Sequence, residues 1–106
     1  MRTYEVMTIH RPDLGEDEVE SRVDGIAQFL TDRGATVSGR DLWGKRRFAY
    51  EINHLHDGFY SVVTFLAEPE AINALQRMLT LADEVVRHKI MQAGEEAVPS
   101  APEQGP

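Results

Sequence analysis

The run Phe59-Tyr60-Ser61-Val62-Val63-Thr64-Phe65-Leu66 constrains this chain most. Its β-branched and aromatic residues favour an extended strand. Apolar types occupy both parities, so neither side of that strand can face water for its whole length. Such a strand belongs in the middle of a sheet, with one face against helices and the other able to dock a partner. The rest of the chain must supply neighbouring strands and a helical cover.

Those elements are legible on either side. Residues 2 to 10 read as a strand, with Tyr4, Val6 and Thr8 on one parity and Glu5, Met7 and Ile9 on the other, both competing for the core. Val19, Val23, Ile26 and Leu30 recur at steps of four, three and four, which predicts an amphipathic helix over about 15 to 33. Acids early in that helix suit its positive end, and Gly34 suits its left-handed terminus. Residues 36 to 52 are extended, with Gly39 and Gly44 as expected bulge or bend points. Asn53-His54-Leu55-His56-Asp57-Gly58 reads as a polar turn that closes a hairpin. Pro69 opens a second helix whose apolar positions include Ile72, Leu75 and Leu79, and residues 85 to 91 form a last strand. The order β-α-β-β-α-β is the ferredoxin-like α+β arrangement, a four-stranded antiparallel sheet with both helices on one face. One domain over residues 1 to 92 is expected, followed by a disordered tail, 93 to 106, that has three prolines, two glycines and no aromatic residue.

Charge narrows the function. The 106-residue chain has 18 acids against 11 Lys and Arg and a formal net charge of −7, unlike a self-sufficient nucleic-acid binder with a dominant basic field. The charges are nevertheless segregated along the sequence. Residues 13 to 32 hold Asp13, Glu16, Asp17, Glu18, Glu20, Asp24 and Asp32 against the single base Arg22. The stretch 39 to 52 holds Arg40, Lys45, Arg46 and Arg47 beside Trp43, Phe48 and Tyr50. On a strand Lys45 and Arg47 share one face and Arg46 takes the other, unless a bulge at Gly44 rotates them. Guanidinium groups match phosphate oxygens, and Arg2, Arg87 and Lys89 lie on strands able to approach the same surface. Against this stands the plainer reading of such cations as guards of a strand edge against aggregation.

Catalytic motifs are missing: no glycine-rich phosphate loop, no Gly-x-Ser-x-Gly, no His-Glu-x-x-His. Without cysteine, thiolate metal sites and disulfides are excluded. His54 and His56 supply too few ligands for a metal site, and no cofactor is expected. No apolar run approaches the roughly 20 residues of a membrane span, so a soluble protein that stays where it is made is expected, without membrane partners.

Several short motifs together resemble one family. Arg2-x-Tyr4-Glu5, Gly34-Ala35, Gly44-Lys45-Arg46-Arg47-Phe48-Ala49-Tyr50-x-Ile52 and Gly58-Phe59-Tyr60 are similar to the bacterial small-subunit ribosomal protein six family, over about residues 1 to 92. The resemblance implies a non-enzymatic, cytoplasmic component of the small ribosomal subunit that takes no small-molecule substrate. It pairs with the basic ribosomal protein eighteen and, as that heterodimer, binds the central domain of the small-subunit ribosomal RNA. A cationic partner would then supply much of the counterion release while this chain's own arginines set position. Arg2, Arg46, Arg47 and Arg87 carry over as RNA-facing or partner-facing candidates, and Lys45 and Lys89 join them from the charge pattern. On the open sheet face Glu5, Tyr60 and Val62 are the partner-binding candidates, with Arg47 and Arg87 if the register holds. The family often carries further arginines where this chain has Thr80, Ala82 and Val86, which reduces the RNA affinity expected of that edge. The alternative is a dimeric ferredoxin-like small-molecule enzyme or sensor that uses His54 or His56.

Overall fold

A computed structural model describes residues 1 to 93, and the tail expected beyond them lies outside the described residues, apart from Ala93. The elements are β1 (Arg2–His10), α1 (Glu16–Asp32), β2 (Thr36–Ile52), β3 (Leu55–Ala67), α2 (Pro69–Leu81) and β4 (Val85–Gln92). The strands form one antiparallel sheet in the order β2-β3-β1-β4, so β3 and β1 are interior. This is the expected ferredoxin-like architecture.

The interior position of β3 follows from its composition. Phe59, Val63, Phe65 and Ala67 face the helices, where they pack with Val6, with Val19, Val23, Ile26 and Leu30 of α1, and with Ala71, Leu75 and Leu79 of α2. Register settles the ambiguous parity of β1: Val6 joins that core, and Met7 and Ile9 turn to the opposite face. There a second, smaller cluster forms from Ile9, Phe48 and Tyr60, flanked by Met7, Trp43, Ile52, Leu55 and Val86. The sheet is therefore apolar on both sides, as the double-parity run demanded.

Helix α1 ends in a Schellman motif, with the Ala35 amide donating to the Leu30 carbonyl and the Gly34 amide to the Thr31 carbonyl, each at 3.0 Å. Gly34 has φ +86° and a Cβ there would meet open space, so its cost to a substituent is purely conformational. Gly34→Ala is expected to lower stability by about 1 kcal/mol, measured as a shift in the urea midpoint. Gly39 and Gly44 do sit at irregularities, with register shifts between Val37 and Gly39 and between Leu42 and Gly44.

The hairpin turn differs from expectation. Only Asn53 and His54 form it, both with positive φ (51° and 65°), as a two-residue turn matched to the right-handed twist of the flanking strands requires. Leu55, His56, Asp57 and Gly58 already belong to β3. Because His10, the end of β1, pairs with Phe59 and Phe59 with Lys45, the hairpin from Arg46 to Gly58 overhangs the sheet as a two-stranded arm.

Candidate nucleic-acid and partner interface

The sequence-predicted cations fall into three places. Lys45, Arg46 and Arg47 lie where the arm leaves the sheet, paired with Phe59, Gly58 and Asp57. Despite the bulge at Gly44 they alternate regularly, so Arg46 shares the open face while Lys45 and Arg47 share the helix-side parity. This corrects the placement of Arg47 on the open sheet face: the register puts it opposite Asp57, on the other parity. Arg87 and Lys89, paired with Ile9 and Met7, are on the open face at the far edge, three interstrand steps or about 14 Å from β2. Arg2 pairs with Ala67 at the opposite end of the sheet, about 26 Å along the strand from the His10 end. Its guanidinium donates to Gln92 Oε1 at 3.3 Å. The six do not make one patch.

What separates the cations is their partners. Arg40 is held by Asp24 of α1. Among the described residues, no carboxylate forms an ion pair with Lys45, Arg46, Arg47, Arg87 or Lys89, and all five are exposed. The Lys45 ammonium lies 5.1 Å from the Phe59 ring centroid, a cation–π contact that leaves its charge uncompensated. The segregation of acid from base in the sequence is incomplete in space, however. Glu16, Asp17 and Glu20 at the start of α1 line a depression with Leu42 and Gly44, next to Lys45 on the helix side. Those carboxylates weaken any phosphate attraction there, whereas Arg46 points away from them.

The open face is more enclosed than its sequence suggested. Tyr60 is only 4% exposed and Val62 only 7%. Trp43 stacks on Tyr60 with centroids 6.1 Å apart and planes 11° from parallel, and Phe48 meets the same ring edge-on at 6.2 Å. Tyr60 is thus floor rather than exposed surface and Val62 is buried on the same face, where Glu5 is half-buried. Above this floor is a groove of about 330 Å³, bounded on one side by Trp43, Phe48 and Tyr50 and on the other by Arg87 and Lys89, with Met7 and Ile9 beneath. Sequence reasoning did not assemble this groove. Its one local signal was the apolar character of the even residues Phe48, Tyr50 and Ile52.

His54 and His56 are exposed at the arm's tip, each with a ring nitrogen 4.0 Å from the Glu51 carboxylate. Among the described residues no cluster of three metal-ligating side chains forms, and no helix is long and apolar enough to cross a membrane.

Comparison with known proteins bears on the same residues. The family model described as Ribosomal protein S6 matches residues 3–92. The chain is 50% identical over 95 residues to the small ribosomal subunit protein bS6 of Symbiobacterium thermophilum, covering 90% of this chain and 100% of that one. It is 42% identical over 95 residues to the bS6 protein of Desulforamulus reducens, with the same coverage. The crystal structure of 30S ribosomal protein S6 from Thermotoga maritima superposes with a TM-score of 0.82 at 27% identity, covering 86% of each chain. The C-terminal domain of the MgtC protein from Mycobacterium tuberculosis, at TM-score 0.59 and 15% identity over 93% of this chain and 95% of that one, shares the fold alone. An open-faced βαββαβ sheet whose arm begins at cations without carboxylate partners among the described residues, matched by sequence across nearly its whole described length, places this chain in the ribosomal protein S6 family, structural and non-enzymatic components of the small ribosomal subunit.

Proposed function

We propose that the chain acts in the small subunit as a heterodimer with ribosomal protein eighteen, and that this heterodimer binds the central domain of the small-subunit ribosomal RNA. The observation that carries the reading is the set of cations at the root of the arm that have no carboxylate partner among the described residues, on a chain of net charge −7. A chain this acidic is repelled by a polyanion at long range, so a few correctly placed guanidinium groups fix register while a basic partner supplies most of the counterion release. In this reading Lys45, Arg46 and Arg47 contact RNA, Arg2 adds a separate contact at the other end of the sheet, and the open face, with Glu5, receives the protein partner. Family membership removes the enzyme or sensor reading of His54 and His56.

The test is filter binding of the chain, with and without protein eighteen, to central-domain RNA. The chain alone is expected to bind weakly and the mixture tightly. Arg47→Ala is expected to weaken the ternary complex by about 1 to 2 kcal/mol, and to make the dependence of log K on log salt shallower by roughly 0.7 to 0.9 for the lost phosphate contact. An unchanged salt slope would make Arg47 a structural arginine. Equal RNA affinity with and without protein eighteen would overturn the heterodimer.

A further inference from the structure

The two helices cover the sheet without closing on each other. Between them, on the side away from the open face, is a cleft of about 300 Å³. Ile26 and Leu79, both buried in the main core, form its floor, and the half-buried Phe29 and Met78 line its walls. Gly25 lines it too, exposed in the middle of α1. Glycine weakens a helix interior relative to alanine, and nothing within the chain asks for it here. Its φ is not positive, and a Cβ would meet no atom within 4 Å. A missing side chain on the wall of an apolar cleft is then of use only to something that enters from outside. At the cleft's edge stands Leu81, three residues after Met78 and one before Ala82, both of which line it; at 74% it is the most exposed large apolar side chain among the described residues. An exposed leucine alone means little, but this one has an apolar cleft with room for it on its own face.

Charge repeats the pattern. Arg22 of α1 and Glu84, just before β4, also line the cleft, and among the described residues neither forms an ion pair. One surface therefore carries a knob and a hole, a cation and an anion. A two-fold dimer requires such self-complementarity, because each residue meets its counterpart in the other copy twice. A foreign partner would need only one half of each pair.

We infer that the helix side of this chain binds a second copy of itself about a two-fold axis, with Leu81 of each copy seated over Gly25 of the other and Arg22 paired with the second copy's Glu84. Elsewhere a chain of net charge −7 repels its own copy, so the paired charges at the cleft also fix where two copies meet. This surface lies opposite the open face. The inference therefore does not rest on the heterodimer, and both contacts can form on one chain.

Sedimentation velocity of the full chain, without RNA or protein eighteen, tests this from low-micromolar to submillimolar concentration, and a concentration-dependent dimer is expected. Gly25→Gln fills the cleft while improving helix propensity. It is expected to weaken the dimer by about tenfold or more with urea stability equal to or above that of the wild type, an outcome that a folding defect cannot mimic. Arg22→Glu and Glu84→Arg should each weaken it comparably, since each sets like charges opposite one another twice. Mixing those two variants in equal amounts should restore association, because every Glu then faces an Arg. A chain that stays monomeric at the highest concentration overturns the inference, as does a dimer that survives all three variants or one that mixing the charge variants fails to restore. Loss of protein eighteen binding in Gly25→Gln, with self-association never seen, overturns it in favour of a foreign partner. Failure of the heterodimer itself in the filter-binding test leaves these readouts untouched.

Discussion

Gly58→Ala is expected to lower stability by about 3 kcal/mol, the upper end of what overpacking costs, moving the urea midpoint down by about 2 M if the denaturant slope is ordinary for a small domain. Gly58 has no positive φ, so conformational freedom is not the reason. A Cβ there would lie 2.8 Å from Ile9 Cγ2, 2.9 Å from the His10 carbonyl oxygen and 3.1 Å from Phe48 Cζ. The Ile9 methyl can rotate away; the His10 carbonyl cannot, because it is backbone at the last rung of the β1–β3 ladder, where His10 pairs with Phe59. Relief requires opening the sheet where the arm departs, and that would also disturb the Phe48–Tyr60 contact beneath the groove. A loss below about 1 kcal/mol would show that the arm hinges freely at this point.

Acid is expected to destabilise the protein from pH 6.5 downward through His10. This imidazole is fully buried; one ring nitrogen, Nε2, is 3.0 Å from Thr8 Oγ1, which in turn lies 2.6 Å from Ser61 Oγ. The other, Nδ1, has no hydrogen-bond partner. Neutral histidine has one N–H to place; the imidazolium has two, and here the second meets no acceptor. Burial accordingly pushes the group below its ordinary value of 6.5; Glu84 raises it in part and Arg22 lowers it further. With the folded-state value depressed, the unfolded chain holds more protons at any pH between the two values. Stability is therefore complete above 6.5 and declines as pH falls toward the folded-state value, at up to about 1.4 kcal/mol per pH unit. His88, also lowered by burial, adds a decline of the same sign as pH falls below 6.5. Asp13, lowered chiefly by its hydrogen bond from Arg11, acts only as pH falls below 3.8. Urea titrations at half-unit steps should show the decline, and His10→Leu should remove most of it while leaving the Thr8–Ser61 bond in place. A variant with the same pH profile as the wild type would exonerate His10.

These expectations mark where sequence and fold part company. The fold was legible because its signals are local and redundant. The apolar stripe of α1, Pro69 at the first turn of α2, Gly34 in a Schellman motif and the doubly apolar β3 each point to one conformation, and together they permit few topologies. The turn was misplaced for an equally physical reason. Asp57-Gly58 looks like a turn because glycine commonly serves there, but glycine is equally required wherever backbones and side chains crowd, and only the packing of Ile9 and His10 distinguishes the two uses.

The cations of the candidate interface were legible as a cluster but not in their arrangement. Clustered Lys45, Arg46 and Arg47 stood out as candidates for an anionic guest, beside the plainer role of guarding a strand edge. Which of them look toward the acids of α1, and which share a face with Arg87 and Lys89, depends on bulges that shift the β2 register by single residues, and each such shift exchanges the two faces. The buried His10, the groove under Trp43 and the capture of Arg40 by Asp24 likewise arise from residues far apart in sequence. Periodicity in the chain fixed what each segment must become, since backbone preference and apolar spacing act within a few residues; who meets whom was left to the tertiary structure, because charge and burial act through space and only the packed register sets those distances.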